Sequence, residues 1–382
     1  MLAQCVMEFP VAALNTRKYW LGFSLVPGIG PKRLLLLAKA FGNLTNAWEA
    51  NESQLRAAGL DEETTANLLQ MQAKLDLDAE MSRVEQVGAH LLTPEDANYP
   101  ALLKNMPDAP LTLYVRGRLT AQDDLALAVV GTRKATGYGK DAAAYFSRHL
   151  ADEGVTIVSG LAHGIDAAAH RSALEAGGRT IAVLGCGIDR VYPPDHAELA
   201  KHIAQQGALV SEFALGVKPE ARNFPRRNRI ISGISLGVLI VEAPEQSGAM
   251  ITATLAAEQG REVFAVPGSI FNMASAGTNR LIQDGAKLVI TVEDILDELN
   301  IARRKVEARA LTKQIAPAES ATGAYENAVL RFLSSDPLPV DELVLRSALP
   351  ASELLGVLTL LELQGYVEAD GRGNYRRVGY RE

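Results

Sequence analysis

The chain has 382 residues, a formal charge of -7 and 48% hydrophobic residues, which indicates a globular protein of two or three domains rather than a disordered polymer or a general polycation. Its two cysteines, Cys5 and Cys186, lie far apart without His or Cys neighbours at ligand spacing, so neither a zinc site nor a disulfide framework is expected. Met1 to Leu14 has no basic region before it and is interrupted by Glu8, and no later run approaches the roughly 18 apolar residues of a membrane span, so a soluble, cytoplasmic protein without membrane association is expected.

The first 84 residues read as short helices with no strand pattern. Within them, Leu25-Val26-Pro27-Gly28-Ile29-Gly30-Pro31-Lys32, followed by an apolar run to Phe41, has the form of a helix-hairpin-helix turn. Such turns present helix-start amides to a phosphate, and they also serve as plain packing units.

From 85 to 300 the rhythm becomes strand, loop, helix, strand. Leu125 to Val130, Thr156 to Ser159, Thr180 to Leu184, Leu209 to Val210, Val238 to Glu242, Val263 to Val266 and Leu288 to Ile290 are short apolar, largely β-branched runs. Continuous apolar strands with helical crossovers predict an α/β fold, an extended Rossmann-like parallel sheet covered on both faces. Leu111 to Val115 is a candidate to extend it. On such a sheet ligands bind outside the carboxyl ends of the strands, so the loops there carry the functional reading.

The first of these loops is Gly131-Thr132-Arg133-Lys134-Ala135-Thr136-Gly137-Tyr138-Gly139-Lys140, a glycine-rich turn feeding a helix where an anion can sit on free amides. An ATPase phosphate loop needs glycine at Lys134 and a hydroxyl at Asp141; a dinucleotide fingerprint needs a different glycine spacing and an acid near the end of the next strand, which instead ends Val158-Ser159-Gly160. No nucleotide cofactor is expected. The second loop, Ser159-Gly160-Leu161-Ala162-His163-Gly164-Ile165-Asp166, runs into a helix with His170. His163, His170 and Asp166 suggest an acid-base set only on paper, since no nucleophile or metal constellation accompanies them.

Between Lys218 and Arg229 the basic residues Lys218, Arg222, Arg226, Arg227 and Arg229 face the single acid Glu220. Here Pro225 suits the first turn of a helix, Asn223 its cap, and Phe224 the exposed entrance. An aromatic ring beside three arginines can stack on a base while the guanidiniums hold phosphates; the competing picture is a buried ring with arginines paired to acids. Ser247-Gly248 with Thr252, Pro267-Gly268 and Gly277-Thr278-Asn279 add further small-residue helix starts to the same edge.

Residues 301–323 read as a linker, and 324–382 as a winged-helix domain: helices at Tyr325 to Leu333, Pro339 to Ser347 and Ala351 to Gln364, then a hairpin around Asp370-Gly371-Arg372-Gly373-Asn374. Glu353, Glu362, Glu368 and Asp370 favour protein contact or structure over DNA readout there.

Taken together, Gly131-Thr132-Arg133, Ser159 through Asp166, Phe224-Pro225-Arg226-Arg227-Asn228-Arg229, Ser247-Gly248, Pro267-Gly268 and Gly277-Thr278-Asn279 resemble the DprA/Smf DNA-processing family. The resemblance implies a homodimer that binds single-stranded DNA without catalysis and helps load the RecA recombinase in natural transformation. Carried onto this chain it implies DNA contacts at Arg133, Ser159, Gly160, Phe224, Arg227, Asn228, Arg229, Ser247, Gly248 and Asn279; Gly131, Lys134, Gly164, Arg226, Thr252 and Gly268 complete the expected set. The rival reading is a phosphoribohydrolase-like enzyme on the same Rossmann variant. That chemistry relies on a Pro-Gly-Gly-x-Gly-Thr loop followed by glutamate, whereas Pro267-Gly268 is followed here by Ser269 and Gly277-Thr278 by Asn279, Arg280 and Leu281.

Overall fold

A computed structural model describes residues 17–301, 329–334, 337–347, 349–363, 366–370 and 373–377. The chain divides into two compact units between Ile301 and Ala302. In the first, six helices, α1 (Arg17–Ser24), α2 (Pro31–Phe41), α3 (Leu44–Trp48), α4 (Glu52–Ala57), α5 (Glu62–Lys74) and α6 (Leu77–Gln86), precede the sheet. Their starts carry Asn43, Asn51, Asp61 and Asp76, each accepting a backbone N–H of the following turn. The hairpin between α1 and α2 is locked from within: Arg33 donates to the Gly28 carbonyl (2.6 Å) and to Thr64 Oγ1 (2.9 Å) and pairs with Asp61. Beneath it Val26, Ile29, Leu34 and Leu37 join Trp20, Phe23 and Trp48 in one core.

The sheet has nine strands in the order β1-β2-β6-β5-β4-β3-β7-β8-β9. They are β1 (His90–Leu92), β2 (Leu113–Gly117), β3 (Ala126–Val130), β4 (Thr156–Ser159), β5 (Thr180–Val183), β6 (Ala208–Ser211), β7 (Gly237–Ile240), β8 (Glu262–Ala265) and β9 (Lys287–Leu288). Between them run α7 (Ala101–Lys104), α8 (Gly137–Asp152), α9 (Ile165–Glu175), α10 (Ala197–Gln206), α11 (Asn223–Ile234), α12 (Gly248–Glu258) and α13 (Ala276–Gln283), and α14 (Glu293–Glu298) follows β9. From β6 through β9 the pairing is parallel. The expected parallel sheet needs one correction: β1 and β2 add an antiparallel edge beyond β6. Three-residue β1 is too short for its alternation to stand out in sequence.

Strand β3 shows why the core reads as an uninterrupted apolar run. Ala126, Ala128 and Val130 face α11 and α12, while Leu127 and Val129 face α8 and α9, so period-two alternation serves two buried faces. Leu21 and Val84 share a further core with Leu91, Tyr114 and Leu209, so the helical layer packs directly on the antiparallel edge.

The second unit contains the helices Val340–Ser347 and Ala351–Leu363 and a three-stranded antiparallel sheet of Leu338–Pro339, Val367–Ala369 and Asn374–Arg377, around a core of Leu343, Leu354, Leu358 and Leu361. The expected linker, apart from Ile301, and the start of the expected helix at Tyr325 lie outside the described residues. No helix among the described residues is long and apolar enough to cross a membrane.

One buried polar chain ties α9 to the sheet. His170, fully buried, donates from Nδ1 to Thr180 Oγ1 (2.6 Å), whose hydroxyl donates to the Ile157 carbonyl (2.7 Å). Burial, reinforced by the nearby charges of His196, Arg227 and Arg171, lowers its pKa from 6.5 to about 3, so the imidazole is neutral in the fold. A depressed histidine stabilises the fold fully above its unfolded pKa and loses that stabilisation as pH falls from 6.5 towards 3. Urea titrations of the first unit's transition should therefore show a His170 contribution of up to ~1.4 kcal/mol per pH unit on the acid side, and His170→Gln should flatten that slope; identical slopes in the two proteins would refute the assignment.

Candidate nucleic-acid interface

The chain builds β3, β4, β5 and β6 outward in one direction, then α11 returns it across the sheet to lay β7 on the other side of β3. The carboxyl ends of β3 and β7 thus form the topological switch point, where loops diverge and leave a crevice. A cleft of about 310 Å³ opens there, lined among others by Gly131, Arg133, Phe224, Arg227, Asn228, Ser247, Gly248 and Thr252. Eight residues of the expected set, from the loop after β3 and the starts of α11 and α12, are brought together.

Phe224 and Arg133 shape this cleft. Phe224 is half-buried near the start of α11, with the Arg133 guanidinium 5.0 Å and the Arg227 guanidinium 5.9 Å from its ring centre. Tyr192 approaches the same ring at 5.8 Å, tilted by 39°. The helix itself begins one residue earlier than a cap at Asn223 requires. Arg222 holds the cap position, and buried Asn223 instead donates to the Lys218 carbonyl (3.3 Å), closing the preceding turn.

Arg227 lies at the back of the cleft, only 4% exposed. It donates to the carbonyls of Gly160 (2.6 Å) and Val183 and to Asn228 Oδ1 (3.1 Å), stitching α11 to the ends of β4 and β5. Desolvation lowers its pKa to about 10, while Asp166 pulls the other way, so it stays charged at neutral pH. Asp166 is also buried; its carboxylate accepts from the amides of Gly160 (3.1 Å) and Ala162 (3.2 Å), and burial raises its pKa against the pull of Arg227 and those bonds. A Cβ at Gly160 would sit 2.5 Å from the Arg227 guanidinium, which would have to shift out of its carbonyl bonds. Ser159 is fully buried, its hydroxyl donating to the Val129 carbonyl (2.7 Å). Ser159, Gly160 and Asp166 are therefore framework for the loop that follows.

The two helix starts at the switch point differ. The start of α8, read from sequence as an anion seat, is occupied by the chain itself: the buried Glu242 carboxylate, just beyond β7, accepts from Thr136 N (2.8 Å) and Thr136 Oγ1 (2.7 Å). At α12 the cap residue Ser247 makes no capping bond, and its buried Oγ has no partner among the described residues. Asn228 Nδ2 and Thr252 Oγ1 both donate to the Gly248 carbonyl (3.3 and 3.2 Å), and Ser247, Gly248 and Ala249 at the start of α12 line the cleft.

A second cavity of about 470 Å³ adjoins, with Arg133 in both linings; Lys134, Lys140, His163, Gly164 and Arg171 are among its other walls. Gly164, at φ +76°, turns the loop so closely over Thr132 and Arg133 that a side chain would strike their backbone. Four expected residues lie elsewhere. Arg226 is exposed over the Phe213 ring at 5.4 Å. Asn279 and Gly268 satisfy each other: the Asn279 amide accepts from Gly268 N (3.2 Å) and donates to Gly268 O (3.0 Å). That helix start is fastened to its neighbour rather than open. Arg229 turns away to ion pairs with Glu212 and with Asp108 (3.4 Å), and donates to the Asp108 carbonyl (2.8 Å). The acid-base trio does not assemble, since His170 is buried against Thr180, Asp166 holds backbone amides, and His163 stands in the second cavity.

A family model for DNA recombination-mediator protein A matches residues 90–300, and one for the DprA winged helix domain matches residues 313–371. The chain belongs to the DNA recombination-mediator protein A family. It is 41% identical over 335 residues to Protein Smf of Escherichia coli, covering 86% of this chain and 89% of that one. The X-ray structure of DNA processing protein A (DprA) from Streptococcus pneumoniae superposes with a TM-score of 0.65 at 34% identity, over 75% of this chain and 99% of that one. DNA processing protein A of Helicobacter pylori, described for its single-stranded DNA binding mode, superposes with a TM-score of 0.51 at 32% identity, over 56% and 98%. The resemblance read from the loop motifs is thus borne out, as is the Rossmann-like core with a winged-helix end.

With its side chain only 13% exposed, Arg229 leaves the Glu212 carboxylate without its cation when truncated. Arg229→Ala should destabilise the first unit by about 2 kcal/mol, since a half-broken, largely buried pair strands a charge; thermal unfolding checks this, and an unchanged midpoint would remove the pair from the framework.

Proposed function

We propose that the chain is a non-enzymatic DNA-binding mediator that holds single-stranded DNA, without sequence preference, across the switch-point cleft. The observation that carries this reading is the pairing of a half-buried aromatic ring with the Arg133 guanidinium, 5.0 Å away, beside the open start of α12. A ring face accepts any base, a guanidinium and helix-start amides accept any phosphate, and neither reads base edges. Membership of a recombination-mediator family and the single-stranded DNA bound by the Helicobacter pylori relative support the same reading.

Within it, Arg133 and Lys134 neutralise phosphates, Phe224 stacks, and Asn228, Ser247, Gly248 and Thr252 shape the seat at α12. Ser159, Gly160, Gly164, Arg227 and Gly131 act by holding the loops in place. Arg226 is exposed and available to a strand that leaves the cleft. The RecA recombinase as partner, a homodimer offering two clefts, and a cytoplasmic setting complete the proposal, with 1–84, 85–300 and 324–382 as its domains and 301–323 as linker.

Fluorescence anisotropy with a labelled oligothymidylate over a potassium chloride series tests the cleft. Arg133→Ala should weaken binding and reduce the salt slope by about 0.7, the value for one phosphate contact on a single strand. Phe224→Ala should cost ~1–3 kcal/mol with the slope unchanged. If both variants bind as wild type does, the cleft is not the DNA site.

A further inference from the structure

The loop after β4 and the turn before α10 bring together three side chains that the DNA reading does not use. The donor atoms of His163, Asp195 and His196 all lie within 4.8 Å of one another. His163 Nδ1 and Asp195 Oδ2 are 3.7 Å apart. That is beyond hydrogen-bonding range, yet close to the ~3.4–3.6 Å separating two ligands that share an ion at about 2.1 Å. The imidazoles of His163 and His196 meet edge to face at 4.8 Å.

His196 is oriented as a ligand would be. It is buried, and its Nδ1–H donates to the Leu161 carbonyl (2.9 Å), which fixes the tautomer and leaves the Nε2 lone pair for a metal. That carbonyl belongs to Leu161, which stands at φ +59°, a left-handed conformation unusual for leucine, with its side chain fully buried. The other two donors are free to close the remaining gap, with side chains 52% and 66% exposed.

We propose that His163, Asp195 and His196 form a binding site for a divalent transition ion of the zinc class, with one coordination position left open. Two imidazoles and one carboxylate suit zinc, and three protein ligands leave room for an exogenous one. Arg133, Lys134, Lys140 and Arg171 line the same cavity. Their charge opposes a dication and attracts an anion, so the open position takes an anionic oxygen such as that of phosphate, which balances the local charge. The three ligands are separate from the cleft, since neither Phe224 nor α12 contributes to them, although Arg133 lines both cavities.

Full-length protein stripped with a chelator and titrated calorimetrically with Zn²⁺ should take up one ion per chain. Loss of an outer partner of a metal ligand already costs about 10–100-fold in affinity, so His163→Ala and Asp195→Asn, both at exposed positions, should each weaken uptake at least about tenfold. His202→Ala, an exposed histidine outside the cluster, should not. Cobalt-loaded protein should show a visible d–d spectrum that inorganic phosphate shifts. Absence of stoichiometric uptake, or uptake that both substitutions leave intact, overturns the site; a cobalt spectrum indifferent to phosphate overturns the open position.

Discussion

A guanidinium buried at the edge of a sheet sets the geometry of everything around it. Arg227 cannot be hydrated, so its charge has to be met by groups of the fold. The Gly160 and Val183 carbonyls, the Asn228 amide and the field of Asp166 do this. Each partner is then constrained in turn. A Cβ at position 160 would press on the guanidinium, and Asp166 is committed to the amides of the loop rather than to proton transfer. Buried charge of this kind adds little net stability compared with an apolar core. What it supplies is a single arrangement of the β4 and β5 ends against α11, and that arrangement fixes where Phe224 stands.

The same electrostatic need is met in opposite ways at the two helices of the switch point. Helix starts carry partial positive charge and free N–H groups. At α8 the fold supplies its own anion, Glu242, bonded to the amide and hydroxyl of Thr136. At α12 no internal carboxylate is present among the described residues, and even the Ser247 hydroxyl has no partner. A phosphate placed at α8 would face a buried carboxylate; one placed at α12 would meet unspent donors. The proposed strand path therefore runs by α12, with Arg133 reaching it from the β3 loop.

Much of this was legible because the relevant signals are local. β-branched runs marked the parallel strands, and glycine-rich loops after them marked the carboxyl edge, since tight turns need particular residues at particular places. What remained hidden depends on pairing across distance. Nothing in the sequence around Arg229 points to Glu212 or to Asp108, and Glu242 reads as the end of a strand rather than the cap of a helix a hundred residues earlier. His163 and His196 are brought together only by the fold, and their spacing along the chain carries no ligand signature. The antiparallel β1 escaped for a different reason, being too brief for any periodicity.

These pairings also change where the charge of the site comes from. Between Lys218 and Arg229 the sequence shows an excess of cations, but the fold spends most of them. Arg222 pairs with Glu220 (2.8 Å), Arg227 is buried and Arg229 is held by Glu212 and Asp108, whereas Arg226 stays exposed over Phe213. Arg133, Lys134, Lys140 and Arg171, by contrast, line a cavity and have no ion pair among the described residues. Local sequence charge therefore overstates α11 and understates the starts of α8 and α9. In the proposed mode of binding, the long-range field that draws the strand arises from the latter group, while α11 contributes the ring and the rigid floor beneath it.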